Sequence, residues 1–178
     1  MNSINKNQPE DNYQDLYSED ALKKIRELID QAGTCFFCTG PATGASAGTR
    51  PMTIQEVDDA GNLWIMSAND SNTNAEIALD PNVKLYFQGS KFADYLYLTG
   101  EASIETDREK IKKLWNPIMK TWFTEGENDP RISLIKVSPQ FGYYWDNKHG
   151  NVVAGIKMAI GAVIGKTLDD SIEGKLKV

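Results

Sequence analysis

A chain of 178 residues, 40% of them hydrophobic, is long enough for one domain with a sizeable core. Its 19 Lys and Arg against 25 Asp and Glu leave a formal net charge of −6, which argues against nucleic acid as a partner, because phosphate binding needs a basic face. The first residues hold no apolar stretch of the signal-peptide kind, and the one long apolar run, Val152–Gly165, is interrupted by Lys157 and too short to span about 30 Å of hydrocarbon, so no membrane partner and a soluble, cytoplasmic location are expected.

Residues 1–17 are polar and aperiodic, which predicts a disordered N-terminal tail, with residues 18–178 forming a single domain. Ser18, followed by Glu19 and Asp20, reads as a helix cap, and Leu22, Ile25, Leu28 and Ile29 then follow helical spacing up to Gly33. A strand "TCFFCT" leads through "GPATGASAG", a connection of small residues, into a second strand, "TRPMTIQEV". "DDAGN" is a hairpin turn signal, and "LWIMS" is apolar on both faces, as in a central strand. "NDSNTNAEIALDP" reads as a short helix, with Ser, Asn and Thr at its start and Pro81 past its end. "VKLYFQG" and "YLYLTGEASIET" alternate with period two. "TDREKIKKLW" is a helix, and "NPIMKTWFTEGENDP" a second short helix with an acidic loop. "ISLIKVSPQFGYYWD" is the last strand, followed by an amphipathic helix over Val152–Gly165 and a short polar tail. Short strands at regular spacing predict a mainly β fold, a β-barrel with flanking helices.

Several constellations invite a chemical reading. Arg50 opens its strand next to Pro51, a residue confined to strand starts and edges, and a guanidinium there is either solvated or an anion clamp. Ser67, Ser71, Asn72 and Thr73 lead into a helix, where exposed N–H groups suit an anion, although plain N-capping explains them equally. The aromatic set Trp64, Trp115, Trp122, Phe123, Tyr143, Tyr144 and Trp145 is core material that can also wall a planar ligand. Trp115 and Trp122 share a helical face only if the helix survives Pro117. Cys35 and Cys38 are spaced C-x-x-C, but on a strand they point to opposite faces, so two unpaired thiols are expected. A single histidine, His149, leaves no zinc cluster and no Ser/His or Cys/His machinery.

Together "TRPMTIQEV", "LWIMS", "YLYLTGEASI", "LWNP" with the following "WF" and "EG", "DPRI", "LIKV" and "YYWD" resemble the general stress protein 26 group of the pyridoxamine 5'-phosphate oxidase-like flavoproteins, from about residue 19 onward. The resemblance implies an FMN-binding split β-barrel, homodimeric, with FMN in a cleft at the dimer interface. It implies that Arg50, with Pro51 and Met52 of the same stretch, faces the flavin and its phosphate. Ser67, Ser71 and Thr73 would contribute phosphate or ribityl contacts, and Gln88 a hydrogen bond to the ring. Trp115, Trp122 and Trp145 would shape the substrate face. Relatives carry lysines in the segment matching Asn69 to Thr73, where this chain has none; Lys91 is the substitute at hand, and FMN is expected to bind weakly or to be replaced by another ligand. The leading reading is an FMN-dependent oxidoreductase acting on an unknown small molecule. The alternatives are a non-enzymatic binder of a flavin or other planar ligand, and a cofactor-free structural dimer.

Overall fold

The computed structural model of the chain describes residues 11–40, 48–91, 93–164 and 170–178. Most of the connection "GPATGASAG" and the first ten residues therefore lie outside the described residues.

Helix α1 (Ser18–Ala32) buries Ala21, Ile25, Leu28 and Ile29 and stops at Gly33, whose φ of 65° lets its N–H return to the carbonyl of Ile29. Ser18 does not cap it: the helix starts at Ser18, and Tyr17 holds the cap position without a side-chain bond. Strands β2 (Thr34–Thr39), β3 (Thr49–Val57), β4 (Leu63–Ala68), β5 (Asn82–Gln88), β6 (Tyr95–Glu105) and β7 (Ile132–Asn147) close into a six-stranded barrel in the order β7-β4-β3-β2-β5-β6, with β6 pairing back to β7. Alternation drives the closure. On β5, Val83, Leu85 and Phe87 face inward while Lys84, Tyr86 and Gln88 face outward. The inward side chains join Phe37, Leu63, Ile65, Leu96, Leu98, Ile135 and Val137 in one core beneath α1.

Along one edge the 16-residue β7 pairs with β6 over most of its length, and its other edge is shared between two partners. Its first half pairs with β4, and its second half pairs with β8 (Ser171–Lys177). A register shift opposite Thr99/Gly100 of β6, where Gln140 of β7 is left without a cross-strand partner, bends the pair, and a Cβ on Gly100 would clash with the Ser138 carbonyl.

The structure corrects the sequence at both ends. The residues after 170 are not a polar tail but β8, with Gly174 and Leu176 buried. Part of the expected N-terminal tail is ordered too: β1 (Leu16–Tyr17) runs parallel to β8, the Asp15 carboxylate accepts from Lys175 N, and the Gln14 carbonyl accepts from the Tyr144 hydroxyl at 2.9 Å. Helix α2 (Asn72–Leu79) spans the gap between β4 and β5. Helix α3 (Arg108–Leu114) is capped by Asp107 and ends before Pro117, and a 3₁₀ turn, Pro117–Thr121, follows, capped by Asn116. Trp115 and Trp122 therefore do not share one helix. Helix α4 (Gly150–Ile164) leaves Val153, Ile156, Met158 and Ile160 exposed. Among the described residues, no helix is long and apolar enough to cross a membrane.

Candidate functional site

Two places on the barrel collect the residues singled out by the sequence, and β3 divides them. Successive side chains on a strand alternate between faces, so Pro51 projects to the outside of the barrel while Arg50 and Met52 project the other way. Met52 packs against the core.

The outer place is a cleft of about 370 Å³ lined by Thr34, Cys35, Phe36, Pro51, Tyr86, Phe87, Gln88 and Tyr95. The register explains it: Phe36 stands opposite both Pro51 and Tyr86, and Gln88 opposite Tyr95. Phe36 is 58% exposed and Tyr86 46%, so two large rings open to the surface. The amide of Gln88 is fixed, since its nitrogen donates to the Ser90 carbonyl at 3.0 Å and to the Tyr95 hydroxyl at 3.2 Å. The Tyr95 hydroxyl donates in turn to the Lys91 carbonyl, which puts Lys91 at the cleft end of β5 rather than at α2. Trp145 adjoins through Tyr95, its cross-strand neighbour, and its ring meets Tyr143 at 4.7 Å between centroids. Burial pushes the Cys35 thiol up to about 12, so it stays protonated; Cys38 is partly buried, accepts from the Thr49 hydroxyl, and both cysteines are free.

The inner place surrounds α2. Arg50 Nη1 lies 2.7 Å from Oε2 of Glu76, whose side chain is wholly buried. The Thr39 hydroxyl donates to the same oxygen at 2.5 Å. Ser71 caps α2, accepting from Asn74 N, and its hydroxyl is 3.2 Å from that of Ser67. The Asn74 amide donates to Ser133 Oγ at 2.8 Å, and that hydroxyl donates to the Ser67 carbonyl. Ser67 and Thr73 are buried, at 8% and 5% exposure.

Of the residues that the sequence proposes, Pro51 and Gln88 line the cleft and Trp145 borders it. Arg50, Ser67, Ser71 and Thr73 lie at the inner place. Trp115 packs with Trp64 and Met66 on a small second core around Ile111 and Phe123, while Trp122 is 65% exposed on the 3₁₀ turn. Sequence reasoning missed Phe36, Tyr86 and Tyr95. The signal was available for Tyr86, since alternation puts it on the face of Gln88. Glu76 was missed because its partner is 26 positions away along the chain.

Comparison with known proteins agrees with this architecture. The family model for proteins like pyridoxamine 5'-phosphate oxidase matches residues 20–169. A curated relative, Protein bli-3 of Neurospora crassa, is 27% identical over 127 residues, covering 66% of this chain and only 61% of the relative. General Stress Protein 26 from Bacillus anthracis str. Sterne is similar at 28% identity and a TM-score of 0.58, over 69% of this chain and 92% of that one. A chain from Jannaschia sp. CCS1 shares the fold at 19% identity and a TM-score of 0.74, over 90% of this chain and 100% of that one. The general stress FMN/FAD binding protein from Xanthomonas citri shares it at 23% identity and a TM-score of 0.57, over 68% and 85%. With 150 consecutive positions matched by one family model, and the barrel closed as described, this chain belongs to the pyridoxamine 5'-phosphate oxidase like family.

Proposed function

We propose that this protein binds a flavin, FMN or its phosphate-free form, in the cleft between Phe36, Tyr86, Gln88 and Tyr95. In the same reading it is a flavin-dependent oxidoreductase whose small-molecule substrate meets the open face of the ring. The observation that carries the reading is the cleft. Its volume of about 370 Å³ lies within the range of small-molecule sites. Its walls are aromatic, which suits a planar ring system. Gln88 has its nitrogen committed to Ser90 and Tyr95, which leaves the amide oxygen as an acceptor for a ring N–H. The name of the Xanthomonas citri relative, an FMN/FAD binding protein, supports the ligand class.

The residues present fit the ring end of FMN better than its phosphate end. Arg50 already holds Glu76, and the Ser67 and Ser71 hydroxyls hold each other. A bound flavin supplies the electron transfer itself. The chain's part is to stack the ring, orient it through Gln88, and keep the Cys35 thiol inert beside it.

The test is the visible absorption spectrum of the purified protein, with any pigment released by heat and identified by mass. A flavin band with a released flavin is expected. A colourless protein that takes up neither FMN nor riboflavin from excess would sink the reading. A second reading is a binder without turnover. It predicts a bound flavin that reduced nicotinamide does not reduce.

A further inference from the structure

We propose that Tyr95 is a positioning residue of the cleft: with the Ser90 carbonyl, its hydroxyl fixes the Gln88 amide so that only the amide oxygen is offered, and the cleft selects planar rings by an N–H on the edge that meets Gln88. This deepens the flavin reading and rests on it.

A primary amide has a polarity, because its oxygen only accepts and its nitrogen only donates. Gln88 ends β5 directly opposite Tyr95, which opens β6. The Gln88 nitrogen donates to the Ser90 carbonyl at 3.0 Å and to the Tyr95 hydroxyl oxygen at 3.2 Å, which uses both of its hydrogens. The hydroxyl has a single proton, and it donates that proton to the Lys91 carbonyl at 3.2 Å. Tyr95 therefore faces Gln88 as an acceptor. Turning the amide over would set its oxygen against the Ser90 carbonyl, acceptor against acceptor, and against Tyr95 as well unless that hydroxyl gave up Lys91. Two backbone carbonyls thus dictate the polarity, one directly and one through Tyr95. Among the described residues none donates to the amide oxygen, which is left for a ligand.

The turn that supplies these carbonyls is itself held. Gly89 N donates to the Asp94 carbonyl at 2.9 Å, while the Ser90 hydroxyl donates to the Ala93 carbonyl at 3.0 Å and accepts from Ala93 N. Gly89 packs so closely on the returning arm that a Cβ there would crowd the Asp94 side chain. An acceptor held in this way is preorganised, so little ordering is left for the ligand to bring about. The pyrimidine edge of a flavin carries one N–H between two carbonyls. A donor at Gln88 would suit the carbonyls; a fixed acceptor suits only the N–H between them. A site built to hydrogen-bond a group rejects the analogue that lacks it, because its own polar atom is then left unpaired.

The experiment titrates the wild type, Tyr95→Phe and Gln88→Met with riboflavin and with N3-methyl riboflavin, in which a methyl group replaces the proton of that N–H. The wild type is expected to bind riboflavin about fivefold or more tighter than the methylated ring, and a smaller preference overturns the proposal. Tyr95→Phe keeps the aromatic ring and removes only the hydroxyl, which frees one amide hydrogen and lets the amide turn. Its preference is expected to shrink at least about threefold, whereas lost packing would weaken both flavins together and leave their ratio alone. A folded Tyr95→Phe with the wild-type ratio overturns the proposal. So does a wild-type ratio in Gln88→Met, since the methyl group is then kept out by bulk rather than by the amide oxygen. Should neither flavin bind the wild type, the function reading falls by itself. In that case, or where Tyr95→Phe fails to fold, the side-chain amide protons of Gln88 in the wild type decide about Tyr95 by NMR. Both protons exchanging with water more slowly than those of a free glutamine side chain support the lock, and free exchange of either overturns it.

Discussion

Arg50 shows how one side chain can carry two readings until its neighbour is known. The strand "TRPMTIQEV" makes it a candidate anion clamp, and the fold gives it a carboxylate from α2 instead. The consequence for stability is direct. Removing one member of a buried ion pair leaves the other charged and without compensation, at a cost of about 3–5 kcal/mol. Glu76 has no exposed surface at all, and the side chain of Arg50 is 17% exposed. Arg50→Ala is therefore expected to lose about 3–5 kcal/mol in a urea titration. Adding Glu76→Ala should recover part of that loss, because the stranded charge goes with it. If Arg50→Ala costs less than about 1 kcal/mol, the pair is a loose contact and the burial argument fails. A lost flavin in Arg50→Ala alone does not establish a phosphate clamp, since a protein weakened by this much also loses ligands.

At the scale of elements, the weak points of the sequence reading are those where a segment finds its partner far along the chain. The hydrophobic alternation of "VKLYFQG" or "YLYLTGEASIET" announces a strand locally, and both strands form as expected. The segment "SIEGKLK" carries the same alternation through Ile172, Gly174 and Leu176, but its charged residues mask it. Only the second half of β7 makes it a strand. Asp170, just before β8, ties this late element to α4. Burial opposes its charge, yet hydrogen bonds from Lys157 at 2.6 Å and from His149 outweigh that and hold its carboxyl at about 2. Asp129 is likewise held at about 2, by its hydrogen bonds with Arg131. A carboxyl depressed on folding stabilises the native state at every pH above its unfolded value of 3.8, and that contribution disappears as pH falls from there through about 2. Acid unfolding is therefore expected to steepen below about pH 4, with Asp170→Asn less stable at neutral pH and its loss shrinking towards pH 2. A constant gap between the two proteins from pH 7 to pH 2 would show that the Asp170 ion pairs contribute nothing.

For the whole molecule, barrel and family were legible because both rest on local periodicity and on short motifs. Alternation along the strand separates Pro51 from Arg50 and Met52, but which of the two faces is the inside was not legible, because it is set only when β3 takes its place between β2 and β4. The same assembly produces an outer face that no segment announces. Pro51, Phe36, Tyr86, Tyr97 and Tyr143 stand in register across five neighbouring strands, and Phe141 and Trp145 extend the row along β7. Tyr86 and Tyr97 meet at 5.1 Å between ring centroids. Phe36, Tyr86, Phe141 and Trp145 of this row are exposed while Tyr97 and Tyr143 are half-buried; exposed apolar residues grouped in this way mark an interaction face, and the cleft opens onto it. A second copy of the chain laid against this face would cover the rings and roof the flavin, which is the arrangement we propose. The prediction is a dimer by sedimentation at micromolar concentration. Phe141→Asp tests it without touching the cleft, since Phe141 is 38% exposed and lines no part of it. Placing a carboxylate within such an interface is expected to weaken the dimer by about 2 kcal/mol or more, roughly thirtyfold, with a normal melting profile for the monomer. Flavin affinity should fall together with the dimer, because the roof is lost. A monomeric wild type would refute the arrangement outright, and a Phe141→Asp protein that stays dimeric would move the interface to another face of the barrel.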